Sequence, residues 1–325
     1  MSATATAPIV RCGKCRDHLD PEDLFCPNCG HEAPARPGEV YEPGGRIEVH
    51  RFECTGCGAT LTWAVEAQGL RCSFCGRASL QEKPPLSVPA PDLVIPFRIG
   101  RAGAEEIFRT WLGRGTFRPG DLRHASALTE MRGVYLPWWC FTVECRAWWT
   151  ADSNETPVFA RAGWAPKFGG HEKRYEGLIV PASGALTRAE IQALGSYELD
   201  GAVPFAPEAL GVYPAEVFAV TRKQARRDAG VGFEELLKRD CTARVPGSRH
   251  RNLKLNPLFT GTTASPVLLP VWIMAYEYGG RPYRFLVNGQ TGQADGTAPV
   301  SPWKIAALVL LAAALVVLLG LLAGR

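Results

Sequence analysis

The sequence predicts an α+β protein: two small β-hairpin zinc ribbons, a mixed and mainly antiparallel β-rich body with helices, and one C-terminal transmembrane helix. Three observations carry that expectation. Eight of the eleven cysteines fall into four Cys-x-x-Cys knuckles. Aromatic and β-branched runs such as Val134-Tyr135-Leu136-Pro137-Trp138-Trp139 recur through the middle of the chain, and residues of that kind suit half-buried strands. The tail from Ile305 to Leu322 is eighteen uncharged residues broken only by Gly320.

The knuckles come in two consecutive sets. Cys54 and Cys57 are followed, after fourteen residues, by Cys72 and Cys75; Cys12 and Cys15 are followed, after ten, by Cys26 and Cys29. That is four-thiolate ligand spacing. Each knuckle turns tightly enough to aim two sulfurs at one point, and a glycine after its second cysteine can take positive φ. Ala59 to Val65 alternates apolar and polar residues and Ala67-Gln68-Gly69 reads as a turn, so a short hairpin joins the second pair of knuckles. Two structural metal ions follow, one per set. Zinc is the expected ion, with iron as the alternative that a tetrahedral four-sulfur site accepts. A disulfide framework fits less well, because no secretory signal precedes the cysteines. His18 and His31 are expected at the surface, since each set already has four sulfurs.

At 325 residues, with 46% apolar and 21% charged residues, the chain has room for one substantial body plus small modules. A formal charge of +4 does not by itself call for nucleic acid. The apolar tail would span about 27 Å as a helix, close to a bilayer core, with Trp303 and Lys304 at its entrance. The expected localisation is therefore the cell membrane, single-pass, with the N-terminal bulk in a reducing cytoplasm. The expected units are residues 1–33, first ribbon; 34–46, linker; 47–82, second ribbon; 83–92, Pro-rich linker; 93–299, α+β body; and 303–323, transmembrane helix. Met1 to Ala7 are expected to be disordered.

The body opens with a strand at Leu93–Phe97 and a helix over Ala104–Leu112, where Ile107, Phe108, Trp111 and Leu112 recur at helical spacing. A helical turn is expected near Asp121 to Ala127. Leu136-Pro137-Trp138-Trp139 and Leu269-Pro270-Val271-Trp272 share Leu-Pro-x-Trp ahead of an apolar run. They suggest two related halves, or two edge strands entered at the same proline. Arg174 to Val180 reads as a strand, Thr187-x-x-Glu190 as a capping box, and Tyr213 to about Thr242 as a long helical stretch. Arg251 to Phe259 is a separate strand, and Gly279-Gly280 a tight hairpin turn into Tyr283–Val287.

The sequence has no phosphate-cradling Gly-x-x-x-x-Gly-Lys, no Gly-x-Ser-x-Gly and no His-Glu-x-x-His. His171-Glu172 reads as a solvated pair. Cys140 and Cys145 are placed on opposite faces of one strand, as spare thiols with Cys241. Arg222, Lys223, Arg226 and Arg227 form a basic cluster on one helix, the residues to contact phosphate or lipid if any do. Trp138, Trp139, Trp148 and Trp149 fill a sheet core in preference to stacking on bases.

Through Leu269-Pro270-Val271-Trp272-Ile273, Tyr276-Glu277-Tyr278 and Tyr283–Gly292, the chain resembles a bacterial family often labelled TFIIB-type zinc-ribbon proteins or primosomal-helicase relatives. The likeness covers roughly Arg46 to Trp303, and Asn288-Gly289-Gln290-Thr291-Gly292 is its most specific part. The resemblance implies a zinc ribbon joined to a β-rich body, often ending in a membrane helix, with no settled activity. The N-terminal ribbon departs from that pattern.

The expected function is a non-enzymatic, membrane-tethered cytoplasmic adaptor with structural zinc and protein partners. No small-molecule substrate is evident. The alternative is a nucleic-acid-binding zinc-ribbon protein held at the membrane. Losing Cys54 or Cys72 is expected to unfold only the second ribbon and leave the body intact.

Overall fold

The computed structural model describes residues 10–323 apart from 20–22, 24, 32, 34–44, 63–70, 116, 123–126, 129–130 and 158–162. The expected disordered start, most of the first linker, the Ala67-Gln68-Gly69 turn and most of the helical turn after Asp121 lie outside those residues. In chain order the strands are β1 (Arg46–Cys54), β2 (Thr60–Thr62), β3 (Leu80–Pro89), β4 (Leu93–Val94), β5 (Ala127–Leu128), β6 (Arg132–Ser153), β7 (Ala165–Pro181), β8 (Val203–Pro204), β9 (Ala215–Glu216), β10 (His250–Tyr278), β11 (Arg281–Asn288) and β12 (Ala294–Gly296). The helices are α1 (Arg101–Gly113), α2 (Arg188–Ala193), α3 (Arg222–Thr242) and α4 (Pro302–Ala323).

β10 runs for 29 residues and β6 for 22, and they pair antiparallel over most of that length. The sequence suggested two separate strands within β10, one at Arg251 to Phe259 and one through Val271-Trp272-Ile273. Register shifts at Arg251/Lys254 and Thr260/Thr263 absorb extra residues and let the ladder continue.

The two Leu-Pro-x-Trp segments meet at the centre, where Leu136 faces Leu269 and Pro137 faces Leu268. They are central strands, not edges. Their environments match: Trp139 Nε1 donates to Val220 O at 2.9 Å and Trp272 Nε1 to Ile99 O at 2.8 Å. The Pro137 and Pro270 carbonyls accept from Ala182 N at 3.0 Å and Gly289 N at 2.9 Å, just past the ends of β7 and β11. The hairpins β6–β7 and β10–β11 are thus related by the local two-fold of the pairing.

Alternation assigns the two faces of β6 to different cores. Its odd face (Trp139, Phe141, Val143, Cys145, Ala147) packs under α3 through Ala229, Phe233 and Leu237. Its even face (Val134, Leu136, Trp138) packs with Val267, Leu269, Cys54, Cys72 and Phe74. Cys140 and Cys145 do fall on opposite faces, one against each core. From Glu144 onward the even face is exposed, position by position, to Thr150.

The second cysteine module is part of this body. β1 pairs with β2 and β3, and β2 continues the sheet by pairing with β9. Much of the segment read as a Pro-rich linker is strand β3. Pro84 and Pro85 fall at the register shift where Val49 faces Leu86 and Arg51 faces Lys83. Proline is tolerated at a bulge on an edge strand because no ladder donor is needed there. The long helix starts only at Arg222, behind a Thr221/Gln224 capping box. Part of the stretch before it, read as helical from Tyr213, forms β9 and pairs with β2 and β6. The Thr187/Glu190 capping box is present as expected.

The C-terminal expectation is corrected. Among the described residues no helix is long and apolar enough to cross a membrane. The transmembrane helix, the membrane as a partner, and the single-pass localisation that rested on that helix are therefore not supported.

Candidate metal centres

Each consecutive pair of knuckles brings its four sulfurs together. Sγ atoms of Cys12, Cys15, Cys26 and Cys29 all lie within 4.8 Å of one another, as do those of Cys54, Cys57, Cys72 and Cys75. The closest approaches are Cys12–Cys29 at 3.6 Å, Cys15–Cys26 at 3.5 Å, Cys54–Cys75 at 3.5 Å and Cys57–Cys72 at 3.6 Å. A tetrahedron with metal–sulfur bonds of about 2.3 Å has edges of about 3.8 Å, so each quartet is sized for one ion. All eleven cysteines are free thiols.

The knuckle backbone explains the aim. Arg16, Gly30, Gly58 and Gly76 take φ of 60°, 69°, 76° and 74°, and their amides donate to the carbonyls of Cys12, Cys26, Cys54 and Cys72. Three positions are glycine, for which this conformation costs little; the first knuckle carries Arg16 instead.

Four crowded thiols cannot all ionise by themselves. Cys57 is driven down to about 5, first by its hydrogen bond with Cys72, and that contact and burial drive Cys72 up. Burial pushes Cys15 up to about 12. At Cys12 burial is outweighed by the amides of Cys15 and Lys14 and by the thiols, which bring it down to about 6. A bound cation removes the conflict by stabilising thiolate at every position. The donor set is four soft sulfurs, which suits zinc or iron.

The two modules are anchored differently. The second shares the apolar core of the sheet. The first has a small core of its own, in which Leu19 packs with Cys12 and Cys26, and is held to α3 by charge. Arg226 Nη2 pairs with Asp17, Arg226 Nη1 donates to His18 O at 2.7 Å, and Lys223 Nζ lies 3.1 Å from Asp23. Asp17 and Asp23 are both buried. Of the four basic residues singled out in the sequence, Lys223 and Arg226 therefore face carboxylates of this chain. Arg222 sits beside His18 in the same junction, and Arg227 is exposed. His18, expected at the surface, is buried by this docking; His31 is exposed.

His171-Glu172 is not a solvated pair. His171 is buried with Nε2 3.0 Å from the Tyr175 hydroxyl, which donates to Asp240 at 3.2 Å. Glu172 is exposed and accepts from Arg146 at 2.9 Å. The Asn288–Gly292 run is a latch. Buried Asn288 donates through Nδ2 to Leu194 O at 3.0 Å and Ser196 O at 3.2 Å, and its Oδ1 accepts from the amides of Gln290 and Thr291. Gln290 Nε2 donates to Glu198 O at 2.7 Å and its Oε1 accepts from Glu198 N at 2.8 Å. Asn-Gly spelled out the turn; nothing local spelled out the segment it clasps.

Comparison with known proteins adds one relative. The uncharacterized protein YdjG of Bacillus subtilis (strain 168) is 26% identical over 226 residues, covering 67% of this chain and 66% of the relative, just under two thirds of its length. No protein-family model matches the chain, so the TFIIB-type resemblance gains no support there. No solved structure matches it.

Proposed function

We propose that this protein is a non-enzymatic adaptor in which two zinc ions are structural and the β-rich body presents surfaces to protein partners. The closure of each site carries the reading: four protein sulfurs within 4.8 Å fill a tetrahedral shell and leave no position for substrate or activated water. The latch at Asn288 supports it too, because its side chain is spent on backbone partners. A module docked by ion pairs and another fused to the sheet suit a scaffold that holds surfaces in register.

Three measurements on the intact chain test this. Metal analysis should return two zinc ions per chain. After cobalt substitution, the charge-transfer spectrum should stay unchanged when cyanide or imidazole is added. A spectrum that shifts with added ligand would reveal an open coordination position and end the structural-metal reading. Affinity purification from the native cell should retain a protein in fixed ratio; a chain recovered alone would count against the adaptor.

A further inference from the structure

The even face of β6 is covered by the second module up to Cys140 and bare beyond Glu144. An open groove begins there. Its upper part, about 790 Å³, lies between the first knuckle (Arg11, Lys14, Arg16) and the bulged strand residues Thr142, Thr260 and Gly261. A second hollow of about 470 Å³ continues down the sheet past Arg146 and Leu258, and the two share Glu144, Arg174 and Thr260.

Two aromatic rings lie beyond. Trp148, opposite Gly170 and Asn256, is 53% exposed, and Phe168, opposite Thr150, is 85% exposed. They are diagonal neighbours on one face. A side chain at Gly170 would meet nothing closer than Ala147 O at 3.9 Å, so the space beside Trp148 is open. From Thr142 to Thr150 the face measures about 26 Å along the strand.

Charge selects the occupant. Arg146 pairs with Glu172, and Arg174 with Glu144 and Glu176, so the positive excess on this strip sits at its two ends: Arg11, Lys14 and Arg16 on the knuckle, and Lys254 opposite Thr150. A cationic knuckle at one end, and Lys254 beside exposed rings at the other, fit a linear polyanion that carries flat groups. We propose that this face binds single-stranded nucleic acid, with phosphates on the knuckle cations and Lys254 and bases stacked on Trp148 and Phe168. The cations differ from the basic helix named in the sequence, because Lys223 and Arg226 are taken by the first module, and Trp148, read there as filling a sheet core, is exposed. The proposal goes beyond the adaptor reading and does not depend on it.

The test is fluorescence anisotropy of the zinc-loaded full chain with a labelled oligothymidylate of about 15 nucleotides. Binding should saturate and weaken with salt, with a log–log slope of about −3 for roughly four neutralised phosphates. Trp148→Ala and Phe168→Ala should each lower affinity about tenfold or more with unchanged thermal unfolding, since both side chains are exposed. Gly170→Glu should do the same by setting a carboxylate beside the indole. Three results would overturn the proposal: no saturable binding at about 50 mM salt, equal affinity for polyglutamate of matched charge, or affinity indifferent to both aromatic variants. A chain that keeps a protein partner but ignores the oligonucleotide refutes this proposal alone.

Discussion

Glu216 lies buried on β9, where Oε1 accepts from the amides of Gly184 at 2.8 Å and Ala185 at 2.9 Å. Burial raises its carboxyl from 4.5 to about 7, against the opposing pull of Ser183, those two amides and Arg284. A raised acid keeps its proton in the folded state while the unfolded chain has lost it. Stability is therefore full below pH 4.5 and declines as pH rises to about 7, by roughly 3 kcal/mol in all. Glu216→Gln keeps an acceptor oxygen and removes the titration. In denaturant unfolding across that range, the variant should gain on the wild type by roughly that amount as pH rises; a difference that stays flat would show that Glu216 is ionised in the fold. Comparing the two proteins cancels the acid sensitivity of the metal sites. Such a shift could not be read from Ala215-Glu216, because the position is buried by distant segments, β2 through Leu61 and the loop at Gly184 and Ala185.

At the scale of elements, α3 shows how a charged surface is misread from sequence. Lys223, Arg226 and Arg227 cluster as helical spacing requires, but the partners of Lys223 and Arg226 stand some two hundred residues away in the first module. Asp17→Asn would leave Arg226 partly buried without its counter-charge. Breaking such a pair costs roughly 3 kcal/mol, so amide exchange over Cys12–Leu19 should quicken roughly a hundredfold while β6 and β10 keep their protection. Unchanged exchange would mean that the module is held by something other than this ion pair.

For the whole molecule the two metal sites should behave as unequal partners. The first module meets the body through ion pairs at one helix. The second shares its core with Leu136, Trp138, Val267 and Leu269 through Cys54, Cys72 and Phe74. Titration with chelators of increasing strength should therefore release two ions in two stages. The first loss should leave near-ultraviolet dichroism of the buried tryptophans intact; the second should abolish it, as metal-site folding energy is withdrawn from the sheet. Cys54→Ser should reproduce the second stage and Cys12→Ser the first. This reverses the expectation that losing Cys54 spares the body. A tryptophan signal that survives loss of both ions would show the sheet to be independent.

What could be read in the chain without a structure was whatever a few neighbouring residues complete among themselves. The four knuckles, the Thr187/Glu190 capping box, the Gly279-Gly280 turn and the opposed faces of Cys140 and Cys145 are of that kind, because their geometry closes within about one turn or one strand period. The rest depends on partners far along the chain. Pro84 and Pro85 look like a linker until β1 supplies a ladder with a bulge for them. β10 looks like two strands until β6 runs beside it, and the second module looks separate until β9 pairs with β2. Burial, pairing and counter-charge are set by what lies opposite in space, which local spacing does not record.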